Sequence, residues 1–427
     1  MLISCDAPRM DLTIRAGGAT DVGRTREHNE DAMLIDSALG LFIVADGMGG
    51  HAAGEVASRL AVESVRGKLA ESRAVLRSQV GRLGSPRVRE EVIQLVEAAV
   101  QHACQVIYAD ALAHEERRGM GTTLVVCLVL GECAFITHVG DSRLYLVRDG
   151  LIRQLTYDHT VRNELIRQGN TPLAEIEELP YKHAITRAVG TYECTQPESL
   201  ALELVPGDRV VLATDGLTGY LDDRDYDFAG GLSDAPSDSA VTFVDYANSC
   251  GGRDNVTVLV LNVDGDSSIG RERSRRLALQ RESLGTVSLF SGLDDDELFR
   301  LLQPTESRSF PEGDTIVREG DPGDSLFVIL AGKVRVDKKG EAINVLQAGD
   351  VFGEMSLVRD RARSATVVAL APTELLLLHR TDFETFLRDE TRLGVKILRH
   401  FVHVLAERLE GSSSELSALR ASVLHDD

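Results

Sequence analysis

The pentapeptide Leu41-Phe42-Ile43-Val44-Ala45 is apolar at every position and breaks off at Asp46-Gly47-Met48-Gly49-Gly50-His51. A strand with no polar side has to be covered on both faces, so any fold that holds it needs layers above and below one sheet. Aliphatic and β-branched runs bounded by Gly and Asp predict companion strands over 13–15, 32–36, 123–130, 133–139, 143–147, 151–155, 209–213 and 256–263. Arg148-Asp149-Gly150 joins two of them with a hairpin signal, which makes the sheets largely antiparallel. Apolar residues at helical spacing predict helices over 54–69, 87–113, 158–168 and 237–248. Two sheets face to face with helices outside satisfy all of these.

At 427 residues the chain is long for one domain, and its character changes after residue 265. Residues 266–284 carry Arg271, Arg273, Arg275, Arg276 and Arg281. They predict a basic helical linker, solvated or else docked on an acidic surface. Over 285–410, Gly313, Gly320, Gly323, Gly332, Gly340 and Gly349 punctuate short strands, as a compact β-roll requires, and a helix is expected from Asp382. Leu398, Val402, Leu405, Leu409, Leu416, Leu419 and Val423 follow rough heptad spacing, interrupted by Gly411 and Ser412 and running into a tail over 411–427. A packed terminal helix is the expectation there, ahead of a dimerising coil.

Asp and Glu number 67 against 46 Lys and Arg, a net charge of −21. That balance argues against a nucleic-acid partner or an anionic membrane. No run approaches the roughly 18 apolar residues of a membrane span, and the first residues lack the blocks of a signal peptide. The six cysteines lie far apart with no C-x-x-C spacing, so neither a zinc cage nor a disulfide framework is expected. The expected compartment is the cytoplasm.

The acidic residues fall at strand ends. Asp46 follows 41–45, Asp215 follows 209–213 before Gly216, Asp254 precedes 256–263, Asp141 separates two strands after Gly140, and Glu30-Asp31 opens 32–36. Taken singly, each is an ordinary turn residue. If they converge, bare carboxylates about 4 Å apart repel by ~1–4 kcal/mol per pair. Hard divalent cations relieve that repulsion, and an all-oxygen set points to Mg²⁺ or Mn²⁺. Two such ions could share a hydroxide that is a nucleophile at neutral pH.

The segments Arg26-Glu27-His28-Asn29-Glu30-Asp31, Asp46-Gly47-Met48-Gly49-Gly50-His51, Gly121-Thr122-Thr123, Gly140-Asp141-Ser142-Arg143, Asp215-Gly216 and Asp254-Asn255 occur in this order. Together they resemble the motif series of the PPM family, the type 2C metal-dependent protein phosphatases. The resemblance covers about 12 to 264 and implies an α+β fold, an α-β-β-α sandwich with a binuclear metal site at one edge. It further implies that Asp46 bridges two ions and that the Gly47 carbonyl binds one of them. Asp215 and Asp254 would hold the other, Glu30 and Asp31 would act through waters, and Asp141 would help bind a third ion. Arg26 would grip the phosphate of a phosphoserine or phosphothreonine protein, itself the product of a serine/threonine kinase. Met48 stands where the animal type has a histidine, as in the bacterial type. Gly219 replaces a frequent acidic residue, which leaves the third ion open. Residues 160–183 occupy the position of the family's variable flap and are expected to touch substrate. His51 and His159 are as well explained by structure as by function.

In the second half, Asp350-Val351-Phe352-Gly353-Glu354-Met355-Ser356-Leu357 is followed by Arg363-Ser364-Ala365-Thr366. A glycine turn offers backbone N–H groups to an anion, an arginine neutralises a phosphate, and a glutamate accepts from a sugar hydroxyl. With Gly320-Asp321-Pro322-Gly323-Asp324-Ser325, this is similar to the phosphate-binding cassette of the cyclic nucleotide-binding domain family over 286 to 408. The resemblance implies a β-roll with flanking helices. It also implies cAMP or cGMP as regulatory ligand, held by Gly353, Glu354, Met355, Ser356, Arg363 and Ser364. The whole reads as a phosphatase regulated by a cyclic nucleotide. The alternative is a catalytically weak phosphatase-like scaffold that senses the nucleotide. No cysteine is followed six residues later by arginine, which removes the cysteine phosphatases.

Overall fold

The computed structural model describes residues 11–49, 53–221, 227–287, 290, 292–302, 305–358, 361–389, 393–403, 406 and 410. His51 and the 411–427 tail therefore lie outside the described residues. The chain forms two compact units, divided between Arg275 and Arg276.

The first unit begins with β1 (Thr13–Asp21), β2 (Asp31–Asp36) and β3 (Leu41–Met48), followed by α1 (Ala53–Glu71), α2 (Arg73–Gln79) and α3 (Pro86–Ala113). Next come β4 (Gly121–Thr122), β5 (Leu124–Leu130), β6 (Cys133–Val139), β7 (Arg143–Arg148), β8 (Leu151–Gln154), α4 (Val161–Gln168) and α5 (Leu173–Glu177). It closes with β9 (Glu198–Glu203), β10 (Arg209–Ala213), α6 (Asp215–Leu221), α7 (Pro236–Ser249), β11 (Val256–Asp264) and the start of α8 (Ser267–Thr286). One sheet runs β1-β11-β10-β7-β8 and the other β2-β3-β5-β6-β9, with β4 pairing β3. Paired strands are antiparallel throughout both sheets. Leu41, Phe42, Ile43, Val44 and Ala45 are all buried, as a doubly covered strand must be.

Helices α1 and α3 close one side, where Ala57, Ala61, Val65, Val92, Val96 and Val100 meet Ile43, Val126 and Leu128. Helix α7 closes the other, where Ala240, Phe243, Val244 and Ala247 meet Val211, Val258 and Val260. The result is the α-β-β-α sandwich. At Asp149 and Gly150 φ is +51° and +76°, the left-handed geometry of a tight hairpin. Strand β9 and helix α6 escape sequence reading, and helix α4 is shifted against it. Strand β9 lies at a sheet edge and buries little beyond Leu202, so its charged residues mask it. Helix α6 contains Gly216 and Gly219, poor helix formers. Helix α4 starts three residues later than predicted, because Thr160 caps it by accepting from the Asn163 N–H.

The predicted linker is helix α8, and its first part belongs to the sandwich. Arg273 pairs with Glu132 at 3.2 Å and with Glu203, Ser274 bonds Asp149, and Gly270 sits against Pro206. The docked alternative holds for this part, and the boundary moves from 265 to 275.

The second unit contains α9 (Asp295–Leu302), β12 (Thr305–Phe310), β13 (Thr315–Val317), β14 (Pro322–Gly323), β15 (Ser325–Ala331), β16 (Lys333–Lys338) and β17 (Glu341–Gln347). Then follow β18 (Val351–Phe352), α10 (Met355–Val358), β19 (Arg361–Ala362), β20 (Thr366–Ala369), β21 (Thr373–His379) and α11 (Arg380–Asp389). Sheets β12-β21-β15-β18 and β13-β20-β16-β17 form the roll, with β14 pairing β19. Leu284, Val287, Leu298, Leu301, Phe383, Ile397 and Phe401 cover one side of it. Residues 393–403 are helical, but the positions expected to pack do not. Leu398 and Val402 are 43% and 66% exposed, whereas Leu393, Ile397 and Phe401 are buried. The rough heptad count selected the face that points away from the core.

Candidate metal centre and nucleotide pocket

Pairing of β2 with β3 sets Asp31 directly opposite Asp46. Like charges so placed destabilise a sheet. Asp215 opens α6 at the end of β10, and its carboxyl group meets that of Asp46 at hydrogen-bonding distance. Burial, and then the charges of Asp31 and Asp215, hold the Asp46 carboxyl far above its ordinary range. Burial and Asp254 raise Asp215. Asp31 and Asp141 are each pushed up to about 7, by burial first and by Asp215 among the charges. Glu30 is raised by burial against the pull of Arg26. Arg26 Nη2 donates to Asp254 Oδ2 at 2.7 Å with half its side chain in solvent. The distant acids thus converge.

Four oxygens in this cluster, Glu30 Oε1, Asp31 Oδ1, Asp141 Oδ1 and Asp215 Oδ1, are sealed from solvent and accept no hydrogen bond from a described residue. Buried carboxylate oxygens without donors are costly. An all-oxygen, strongly anionic donor set fits hard divalent cations. The residues present therefore fit the Mg²⁺ or Mn²⁺ the sequence implied.

A second row fixes the first. Thr123 N–H and Thr122 Oγ1 both donate to the Asp46 carbonyl at 2.8 Å, and the Asp46 N–H donates to Thr123 Oγ1 at 3.0 Å. Asn255 accepts from the Glu30 N–H and donates to the carbonyls of Val22 and His28, which pins the loop that carries Arg26. Thr214 Oγ1 donates to Asp31 Oδ2 at 2.9 Å and accepts from the Thr257 N–H. A Cβ on Gly54 would strike the Glu30 carboxylate, and one on Gly216 the Asn255 carbonyl. The sequence motifs contain Thr122, Thr123, Thr214 and Asn255 but give them no role, and Thr257 is not singled out. A threonine at the very end of an apolar strand, beside an acid, was the available signal.

In the second unit, Arg363 is 8% exposed. Its Nη1 donates to the Ser325 carbonyl at 2.8 Å and to Ser356 Oγ at 3.1 Å. Its guanidinium lies 5.2 Å from the centroid of Phe327, whose ring stacks on Phe352 at 4.8 Å. Gly353, at φ +79°, lets the backbone pass this close, since a Cβ there would meet Arg363 Nη1. Arg363 forms no ion pair with a described carboxylate, and burial lowers its pKa. A buried cation in that position calls for an anion. Ser356 is buried, Glu354 half-buried, and Met355 and Ser364 exposed. Gly353, Ser356 and Arg363 thus come together tightly, whereas Ser364 is bonded to none of them.

The protein phosphatase 2C profile matches residues 22–252, more than half of the chain. The chain belongs to the protein phosphatase 2C family. The cyclic nucleotide-binding domain profile matches 307–390. The phosphatase is 34% identical over 248 residues to the serine/threonine phosphatase stp of Listeria monocytogenes, covering 57% of this chain and 94% of that protein. It is 34% identical to protein phosphatase PhpP of Streptococcus pneumoniae, covering 58% and 97%. Among solved structures, the serine/threonine phosphatase PstP/Ppp of Mycobacterium tuberculosis superposes with a TM-score of 0.50 at 32% identity, covering 59% of this chain and 99% of that one. The S. agalactiae serine/threonine phosphatase gives 0.51 at 30% identity, covering 58% and 99%. The chain is a serine/threonine protein phosphatase that also carries a cyclic nucleotide-binding domain.

The phosphatase resolves one open point about histidine. His159 is buried, accepts from the Gly140 N–H through Nδ1 at 3.0 Å, and stacks on His138 at 4.7 Å. His138, His159 and Glu198 offer ligand atoms within 4.8 Å of one another. Arg167 and Arg187 already neutralise Glu198, at 2.6 and 3.0 Å. The cluster is a self-satisfied polar core that anchors the Gly140-Asp141 turn. No helix among the described residues is long and apolar enough to cross a membrane.

Proposed function

We propose that this phosphatase hydrolyses phosphoserine and phosphothreonine in proteins with Mn²⁺ or Mg²⁺, and that a cyclic nucleotide bound in the second unit regulates it. The single observation that carries the first part is the sealed, donorless set of oxygens on Glu30, Asp31, Asp141 and Asp215. Asp46, Asp215 and Asp254 would hold the cations with the Gly47 carbonyl, Glu30 and Asp31 would act through waters, and Asp141 would serve a further ion. The cations, when bound, neutralise the phosphate and bring the pKa of water towards 7. Arg26, half in solvent at the rim, takes two phosphate oxygens with its guanidinium fork. The Thr122–Thr123 clamp and Asn255 keep Asp46 and the Arg26 loop in place, so positioning is complete before substrate arrives.

The nucleotide reading is supported by the cassette around Arg363. Arg363 takes the cyclic phosphate, Gly353 and Ser356 approach it closely, and Glu354 accepts from the ribose hydroxyl. We infer action in the cytoplasm on products of a serine/threonine kinase, a reading that the buried free thiols Cys104, Cys127 and Cys133 accommodate.

The test is dephosphorylation of a phosphothreonine peptide with Mn²⁺, titrated separately with cAMP and cGMP. Turnover is expected, lost in Asp46→Asn and altered by one nucleotide. Turnover that survives Asp46→Asn rejects the site, and a rate flat at saturating nucleotide rejects the regulation. Calorimetry supplies the binding arm. Losing a charged hydrogen bond costs ~1.5–3 kcal/mol, so Arg363→Ala should weaken the nucleotide at least about tenfold; unchanged affinity rejects the pocket.

A further inference from the structure

The two loops that meet at Arg26 also carry cations that no acid neutralises. Arg24 and Arg26 lie on the loop between β1 and β2, and Arg253 sits beside Asp254 on the loop between α7 and β11. The loops are sewn together. The Arg24 N–H donates to the Gly252 carbonyl at 2.7 Å, and Arg26 Nη2 donates to Asp254 Oδ2 at 2.7 Å. A Cβ on Gly252 would come within 2.7 Å of Arg24 Cγ, so this glycine lets the arginine stem lie across it. The Arg253 N–H donates to the Tyr220 hydroxyl at 3.0 Å. Both arginines are exposed, and neither forms an ion pair with a described residue.

The segment that His159 joins to the Gly140-Asp141 turn behaves differently. Its cations Arg162, Arg167, Lys182 and Arg187 are all paired, with Glu177, Glu198 or Glu164. Beside Arg26, the one exposed acid on the two loops is Glu27, since Asp254 is half-buried and engaged by Arg26. In a chain of net charge −21, this stretch of rim reverses the local sign, and such a reversal draws anions.

We propose that Arg24 and Arg253 select phosphoprotein segments in which the phosphoserine or phosphothreonine is flanked by a further anionic residue, a carboxylate or a second phosphate. The inference rests on the phosphatase reading above and deepens it. With the phosphate held at Arg26, a residue one or two places along an extended peptide lies within about 7 Å of it. Arg24 is two residues from Arg26, and Arg253 adjoins the acid that Arg26 bonds. The flanking anion meets its guanidinium in solvent, so it acts on capture of the substrate and is weakened by salt.

The experiment compares kcat/KM of the full chain with Mn²⁺ on phosphothreonine peptides that differ only beside the phosphoresidue, which is flanked by alanine, aspartate, lysine or a hydrolysis-resistant phosphonate. Exposed ion pairs are individually weak, so aspartate should exceed alanine by about three- to tenfold at low salt. The gain should lie in KM and fade in ~0.5 M salt. A gain with both anions assigns the rim to acidic segments, and a gain with the phosphonate alone assigns it to doubly phosphorylated ones. In Arg24→Ala combined with Arg253→Ala the anion-to-alanine ratio should fall to unity. Arg24→Glu combined with Arg253→Glu should favour lysine instead, and a ratio is independent of any general loss of activity. Equal wild-type rates with every flank overturn this inference and leave the phosphatase reading standing. A preference that survives both double variants overturns it too. No turnover of any peptide overturns the phosphatase reading and this inference with it.

Discussion

Replacing Asp31 by Asn should stabilise the metal-free phosphatase and remove most of what metal adds. Asp31 is pushed up to about 7 from an ordinary 3.8, by burial first, against hydrogen bonds from Thr257 and Thr214. The folded-state pKa is the higher one. Folding is therefore undisturbed below pH 3.8, loses stability as pH climbs towards 7, and carries the full loss above it. A gap of about three powers of ten in proton affinity, at about 1.4 kcal/mol each, sets an upper bound of about 4 kcal/mol. Partial solvation of the cluster reduces this to roughly 2–4 kcal/mol. Asparagine keeps the bond from Thr214 Oγ1 and puts a donor where the buried Oδ1 has no partner. The assay is urea unfolding in a chelator at pH 4, 5.5, 7 and 8, wild type against Asp31→Asn. The variant's advantage should grow from near zero at pH 4 to its plateau by pH 8. With Mn²⁺ the variant's advantage narrows, because an ion at a hundred times its Kd adds about 2.7 kcal/mol to the wild type and less to the variant. An advantage that does not depend on pH between 4 and 7 would falsify the claim that the cluster stores like-charge repulsion.

Arg26→Ala should lower kcat/KM for a phosphopeptide by about tenfold or more, the loss of a charged hydrogen bond, with Arg26→Lys recovering part of it; equal kinetics would exclude Arg26 from the phosphate. Gly17→Ala should destabilise the sandwich by ~1–3 kcal/mol, since its Cβ would coincide with the Ser237 backbone at the start of α7. A melting temperature within error of wild type would contradict that packing. His138 is pushed down to about 4, mainly by burial and then by His159. A folded-state pKa below the ordinary 6.5 gives stability that is present above pH 6.5 and lost as pH falls towards 4, at about 1.4 kcal/mol per pH unit. His138→Gln should flatten that slope in chelator; identical slopes would mean that His138 titrates freely.

Sequence reading found the sandwich because its central strands are buried on both faces and show it as unbroken apolar runs, Leu41–Ala45 above all. It found the acids because each sits where a strand stops. It could not show that Asp31 opposes Asp46, since register depends on pairing across the sheet. It gave Thr214 and Thr257 no role, because their work is to orient another side chain and the threonine at the strand end was the one signal of it. Strand β9 stayed hidden because an edge strand keeps polar residues. At the C-terminus, counting heptads picked Leu398 and Val402, which are exposed. Both faces of that helix are apolar, and only coordinates show that Ile397 and Phe401, not Leu398 and Val402, meet the core.

The seam between Arg275 and Arg276 bears on how this protein can be cut. A catalytic fragment ended at residue 265 would strip Gly270 from Pro206 and leave Glu132 and Glu203 without Arg273. Any comparison of such a fragment with the whole chain would then mix the loss of the second unit with damage to the enzyme's own flank. Ending after Arg275 keeps the two effects separable.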